Sequence, residues 1–180
     1  MKKNKLTMRT LLAGALLAAP WLAQAASTTN SGLDPLANKV RHELVMLPFL
    51  SVFDNLAFSV SNGEVTLSGQ VTRPILRSDA ENVVKRLEGI TAVHNMIEVL
   101  PLSPYDDRIR IAVARAVYGY GPLQRYALGT LPSIRIVVKH GEVNLEGVVA
   151  NDADRTIVNL RANGVAGVFK VTNNLTVARG

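Results

Sequence analysis

The sequence contains no cysteine. That excludes disulfides, thiolate metal sites and thiol nucleophiles together, and leaves each folded unit to close on its own apolar core. Histidine is scarce as well. The three present, His42, His94 and His140, fall by local pattern on a helix, a strand and a hairpin turn, in no metal-ligand spacing. With no histidine–carboxylate cluster, neither a zinc site nor a nucleophile–base pair is indicated, and the expectation is no enzyme, no metal and no cofactor. Gly119-Tyr120-Gly121-Pro122 has the glycine content of a phosphate loop, but it follows a helix rather than a strand, the wrong context for cradling phosphate. Arg77 and Arg155 read as surface or helix-start residues, not catalytic ones.

A membrane-spanning run is also lacking. Leu11 to Ala23 is apolar but short of the roughly 20 residues a bilayer requires, and Pro20 interrupts it. It follows Lys2, Lys3, Lys5 and Arg9 and precedes Ala23-Gln24-Ala25. A basic head, a short apolar core and an A-x-A site predict a secretory signal peptide over residues 1–25, cut before Ala26. No cysteine follows the cut, so a lipid-anchored lipoprotein is not expected.

Excess positive charge disappears with the leader. The formal charge of +6 comes from 20 basic and 14 acidic residues. Four basic residues lie in the leader, so the remaining chain carries sixteen against fourteen, a net of about +2. A basic footprint is the first requirement of a nucleic-acid binder, and no nucleic-acid partner is expected. The charge that remains is uneven. Residues 26–101 hold six basic and eight acidic side chains, and residues 102–180 hold ten and six. Such asymmetry points to the second half as the side that meets an anionic partner, with an ordinary solvated surface as the alternative.

What the chain does have is a repeat. Asn62-Gly63-Glu64-Val65-Thr66-Leu67-Ser68-Gly69-Gln70-Val71 returns 78 positions later as His140-Gly141-Glu142-Val143-Asn144-Leu145-Glu146-Gly147-Val148-Val149. The alignment continues ungapped to Val99 and Val177, with eleven identities in 38 positions. That is a duplicated domain, with a period too long for a solenoid.

Residues 26–32, rich in Ser, Thr and Asn, read as a flexible lead-in. Asp34-Pro35 predicts an N-cap and first helical position, with Leu36, Val40, Leu44 and Leu47 on one face as far as Pro48. Leu56, Phe58 and Val60 alternate with smaller residues as a strand. Asn62-Gly63 is a two-residue hairpin signal, and Val65, Leu67, Gly69 and Val71 face inward on the next strand. Gly69 and its counterpart Gly147 therefore fall on the core face, where close backbone approach or a bulge is expected. Pro74 opens a second helix that Gly89 is placed to end. Ile90 to Leu100 forms the third strand, where Asn95 and its counterpart Asn173 share the core parity and need hydrogen-bond partners.

The second half repeats this plan: a helix capped by Asp106 or Asp107, strands at Ile134–Val138 and Val143–Gly147, a helix from about Asp152 and a strand from Val168 to Val177. Its helix aligns at an offset of 69, so nine extra residues precede its first strand. They lie in a Tyr-rich insertion near 116–131 that holds Tyr118, Tyr120 and Tyr126. The expected architecture is α+β: two tandem α-β-β-α-β domains, residues 33–101 and 102–180, each a small mixed three-stranded sheet packed against helices.

V-x-L-x-G at the second strand and G-[IV]-x-x-V-x-N-x-[IL]-x-V at the third resemble the BON domain. That family is named for bacterial osmotically induced and nodulation-related envelope proteins. The motif residues are Val65, Leu67, Gly69, Gly89, Ile90, Val93, Asn95, Ile97 and Val99, then Val143, Leu145, Gly147, Gly167, Val168, Val171, Asn173, Leu175 and Val177. With Gly63 and Gly141 at the hairpins, the glycines and asparagines are taken as structural. The resemblance implies an exported, periplasmic tandem-BON protein that binds phospholipid at the membrane surface and supports envelope integrity or osmotic-stress response. The Tyr-rich insertion departs from the usual domain.

Two functional readings follow. In the first, the second half docks peripherally on anionic phospholipid. Arg108, Arg110, Arg115 and Arg125 would meet phosphates, Tyr118, Tyr120 and Tyr126 would lie at headgroup level, and Leu123 and Leu128 would insert. The alternative for those aromatics is packing between the two domains. In the second reading, the chain is a protein-interaction module of an envelope assembly, with the apolar stretch Leu47–Phe53 as the covered surface or, alternatively, as ordinary core.

Overall fold

A computed structural model describes residues 35–178. The expected signal peptide over 1–25, the lead-in over 26–32 and the cap at Asp34 lie outside the described residues. Helix α1 spans Pro35–Val45, with Val40 and Leu44 buried. It stops short of Pro48, although Leu47 still reaches the core. Strands β1 (Asn55–Ser61) and β2 (Glu64–Val71) form an antiparallel hairpin, with Asn62 at φ +51° and Gly63 at φ +81°. Both central residues have positive φ, the type I′ geometry that Asn-Gly favours because its twist matches the strands.

Helix α2 (Pro74–Lys85) returns the chain so that the third strand pairs parallel to β2. That strand comes in two pieces, β3 (Ala92–Asn95) and β4 (Glu98–Val99), where one run to Leu100 was expected. The break falls at Met96 and Ile97, where the Asn95 side chain turns back to accept from the Ile97 N–H at 3.1 Å. The Asn95 amide also donates to the Arg77 carbonyl at 2.8 Å, tying strand to helix.

The second half repeats the order. It comprises α3 (Pro104–Tyr118), a short 3-10 helix (Gly121–Ala127), β5 (Ile134–Lys139), β6 (Glu142–Val149), α4 (Asp152–Asn163) and β7 (Lys170–Val177). Its sheet runs β5-β6-β7, antiparallel then parallel, and β7 is unbroken. The hairpin again places both turn residues at positive φ, His140 at +53° and Gly141 at +77°. The Asn173 amide donates to the Arg155 carbonyl at 3.0 Å, repeating the strand–helix tie. Pro104 is the first residue of α3. Ser103 is its N-cap, accepting from the Asp106 N–H at 3.1 Å, so neither Asp106 nor Asp107 caps the helix.

Gly69 and Gly147 each lie where a Cβ would sit 2.0 Å from a carbonyl of the neighbouring strand, that of Asn55 and Ser133 respectively. Their φ values, +107° and +119°, are left-handed as well. Only glycine allows the hairpin to close this tightly.

Each half has its own buried cluster, one built on Val40, Val65, Leu67, Leu76 and Val84, the other on Val113, Leu123, Ile136, Leu145 and Val158. They are not separate bodies: the described residues fall in one compact unit. Val52 and Phe53, from the first half, pack against the second core, and the Ile136 N–H donates to the Val52 carbonyl at 2.9 Å. Lys139 and Glu98 pair across the halves at 2.6 Å.

Candidate functional site

The residues proposed for lipid contact do not share a surface. Leu123 is fully buried, Tyr126 nearly so, and both belong to the second core. Tyr118 and Tyr120 are half-buried against the same cluster. Tyr118 donates to the Ile134 carbonyl at 2.6 Å, and burial pushes its hydroxyl above the ordinary value of 10. Tyr120 lies under the Arg161 guanidinium, 5.0 Å from the ring centroid. The insertion therefore folds inward. Its tyrosines pack against the second core, and Tyr118 shares a cavity wall there with Phe53 of the first half. Arg110 is buried as well, donating to the Val138 carbonyl at 2.7 Å and pairing with Asp107. Arg108, Arg115, Arg125 and Leu128 remain exposed.

Around Tyr126 the insertion builds a polar network. The Tyr126 hydroxyl accepts from the Ala150 N–H at 2.8 Å and donates to Asp154, which Arg125 also reaches. Hydrogen bonds to Tyr126 and to Asp154 push the Arg125 pKa up. Asp154 is 6 % exposed, and its bonds satisfy it. This network ties the insertion to the start of α4.

A different cluster stands at the tip of the second half. Asp106 is buried and accepts from the His140 and Gly141 N–H groups at 3.0 and 2.8 Å, pinning the start of α3 to the β5–β6 turn. That brings Tyr105 over the β7 approach, where its hydroxyl donates to the Gly167 carbonyl at 2.7 Å. The rings of Tyr105 and Phe169 lie 6.3 Å apart, and Arg108 sits over Tyr105 at 5.9 Å. Phe169 is 76 % exposed, and Lys170 beside it is exposed, with Glu142 opposite Lys170 in register. A Cβ on Gly141 would meet the Phe169 ring at 2.4 Å, so the turn glycine makes room for the aromatic.

The first half has no such tip. Its counterparts of Tyr105, Phe169 and Lys170 are Leu36, Thr91 and Ala92. Sequence reasoning missed Tyr105 and Phe169. A signal was present, because Phe169 stands where the repeat has a threonine.

The expected interaction stretch Leu47–Phe53 divides. Leu47 joins the first core, Val52 and Phe53 pack on the second, and Phe49 is exposed beneath Arg73 at 5.2 Å. Among the described residues no group of His, Asp and Glu could hold a metal ion, and no helix is long and apolar enough to cross a membrane.

Two small α+β units, each built on the same duplicated motif, make a tandem-domain protein. The BON domain profile matches residues 33–101 and 125–179, and the chain belongs to the BON domain family. No curated protein matches the sequence. Among solved structures, the chain is similar to the C-terminal domain of CdsD, the structural protein of the type III secretion system of Chlamydia trachomatis. That match has 16% identity over 81% of this chain and 98% of that one, with a TM-score of 0.32. A second CdsD structure matches at 16% identity over 80% and 93%, with a TM-score of 0.30.

Proposed function

We propose that the protein is a non-catalytic periplasmic scaffold that docks peripherally on anionic phospholipid and supports envelope integrity or the osmotic-stress response. The observation that carries this reading is the exposed tip formed by Tyr105, Phe169, Arg108 and Lys170. An exposed ring beside cations suits the headgroup layer: the ring enters the interface while the guanidinium and ammonium meet phosphate. Each basic residue near an anionic surface contributes about 1 kcal/mol, a contribution that salt screens.

Co-sedimentation of the purified protein with vesicles tests the reading, comparing phosphatidylcholine with phosphatidylglycerol or cardiolipin at low and moderate salt. Binding should require anionic lipid and weaken with salt. Arg108→Glu changes the local charge by two and should cost about 2 kcal/mol, roughly a thirtyfold loss. Phe169→Thr, which copies the first half, should also weaken binding. Arg115→Glu with Tyr120→Ala, in the insertion, should leave it nearly unchanged. Failure to bind any vesicle, or binding indifferent to Arg108 and Phe169, overturns the proposal.

A further inference from the structure

The two halves treat the same sheet edge in opposite ways. In each hairpin the two-residue turn is closed by a hydrogen-bonded pair, Ser61–Glu64 or Lys139–Glu142. Alternate residues of the first strand therefore bond inward, and those between them point their N–H and C=O outward. On β5 the outward residues are Ile134, Ile136 and Val138, and one outward group of each is partnered: the Ile134 carbonyl by the Tyr118 hydroxyl, the Ile136 N–H by the Val52 carbonyl and the Val138 carbonyl by the Arg110 guanidinium. On β1 the outward residues are Leu56, Phe58 and Val60. No described residue partners their outward backbone groups.

A groove of about 350 Å³ lies beside this open edge. Leu56 and Phe58 line it from β1, Leu44 from α1, and Leu131, Arg135 and Val148 from the second half. Its walls are apolar and its charge is mostly cationic. Arg41 is exposed, with its guanidinium over the Phe58 ring at 5.8 Å. Arg135 has a buried Nη1 with no hydrogen-bond partner. Asp54 lines the groove too and attracts Arg135 but makes no hydrogen bond to it. One of its oxygens is taken by the Thr72 N–H and hydroxyl, the other by the Ser51 N–H and hydroxyl. A buried guanidinium donor left unpaired is costly, and a carboxylate is its natural complement.

We infer that the outer edge of β1 takes an extended peptide from a protein partner, running antiparallel to β1 and ending with its α-carboxylate at Arg135. Three observations fix this occupant. The open edge offers alternating donors and acceptors to an incoming strand. Leu131, Arg135 and Val148 share the groove with Asn55, Leu56 and Phe58 but not with Val60, so the second half stands at the start of β1, where an added strand would meet it and end. The charge at that end is a guanidinium, so the end is a carboxyl terminus, and the direction is antiparallel. The inference is independent of the lipid proposal, whose residues Tyr105, Arg108, Phe169 and Lys170 do not line this groove.

The probe is a fluorescein-labelled heptapeptide of alternating valine and threonine ending in leucine, measured by anisotropy against the purified protein. The free acid should bind, and its C-terminal amide about tenfold or more weaker. Arg135→Gln should cost the free acid a similar factor and leave the amide unchanged. Val60→Pro removes an outward N–H while leaving the β1–β2 ladder whole, and should abolish binding of both. Amide exchange gives a readout that does not depend on these variants. Leu56, Phe58 and Val60 should exchange freely alone and slow about tenfold with the peptide. Equal affinity for acid and amide, or no slowing at those amides, overturns the inference. So does a concentration-dependent dimer that Val60→Pro dissolves, since the edge would then be taken by a second copy.

Discussion

One backbone plan is sealed by two different chemistries in the two halves. In the first, the N–H of Thr72, just past β2, is held by the buried Asp54 carboxylate at 2.6 Å. In the second, the equivalent N–H of Ala150 is held by the Tyr126 hydroxyl. No aspartate stands at the repeat equivalent of Asp54, which is Pro132. The Tyr-rich insertion supplies the missing acceptor from elsewhere. Tyr126 then needs a partner for its own proton, and Asp154 provides it, at the position where the first half buries Leu76. The duplicated fold tolerates exchange of its polar fittings here because the N–H just past the second strand keeps an acceptor in both halves. It also shows why the insertion is internal: it completes the second half.

The sharpest break of the comparison is at the shared glycines. Gly69→Ala and Gly147→Ala each place a Cβ 2.0 Å from a neighbouring carbonyl at a left-handed φ. Each should cost roughly 3–5 kcal/mol, from backbone strain plus forced separation of the hairpin. Thermal unfolding also tests whether the halves fold together. Val52 and Phe53 are anchored in the second core, so both variants should lower one common transition. Two transitions, each answering to one glycine, would show that the halves unfold independently.

A second test exchanges the fittings. Tyr126→Phe leaves the Ala150 N–H and the Asp154 carboxylate each short of a partner, and should cost about 2–3 kcal/mol in denaturant unfolding. Adding Asp154→Leu copies the first half's Leu76 and removes one orphan, so the double variant should lose less than the sum of the singles. Strict additivity would mean that the hydroxyl and carboxylate do not act as a unit. Asp54→Ala, the matching break in the first half, should cost about 1–3 kcal/mol through the unpaired Thr72 N–H.

The sheets were legible because their signals are local. Alternation of Val65 with Thr66 and Leu67 with Ser68, a two-residue turn and a glycine of core parity each carry their own mechanism. The inward fold of the insertion was not legible. Leu123 and Tyr126 follow the irregular spacing of a short 3-10 helix, whose buried side lacks the periodic stripe of an α-helix. Arginine in a basic helix reads as surface, yet Arg110 is buried because an edge-strand carbonyl and Asp107 receive it. That pairing joins residues 28 apart. One local signal was misread. Ser103 before Pro104 is an N-cap followed by a first-turn proline, and it marks the start of α3 better than either aspartate.

The smallest effect separates the two asparagine ties by pH. Asn95 donates to the Arg77 carbonyl and also to Glu81, at 2.9 Å, and Glu81 pairs with Lys85. In the second half Asn173 donates to the Arg155 carbonyl alone, and Asn159 stands in place of Glu81. The hydrogen bond from Lys85, then that from Asn95, holds the Glu81 carboxyl below its ordinary value of 4.5. A depressed folded-state pKa stabilises above the unfolded value, and that stabilisation fades as pH falls through the folded one. Glu81 should therefore contribute fully at pH 7 and progressively less below about 4.5. Glu81 is at the surface, so the effect is small and screened by salt. Asn95→Ala should remove part of this acid sensitivity along with the tie itself, whereas Asn173→Ala should cost about 1 kcal/mol at every pH. Unfolding midpoints at pH 7 and pH 3.5 decide it. Equal acid sensitivity in both variants would show that the Asn95 bond to Glu81 does not hold in solution.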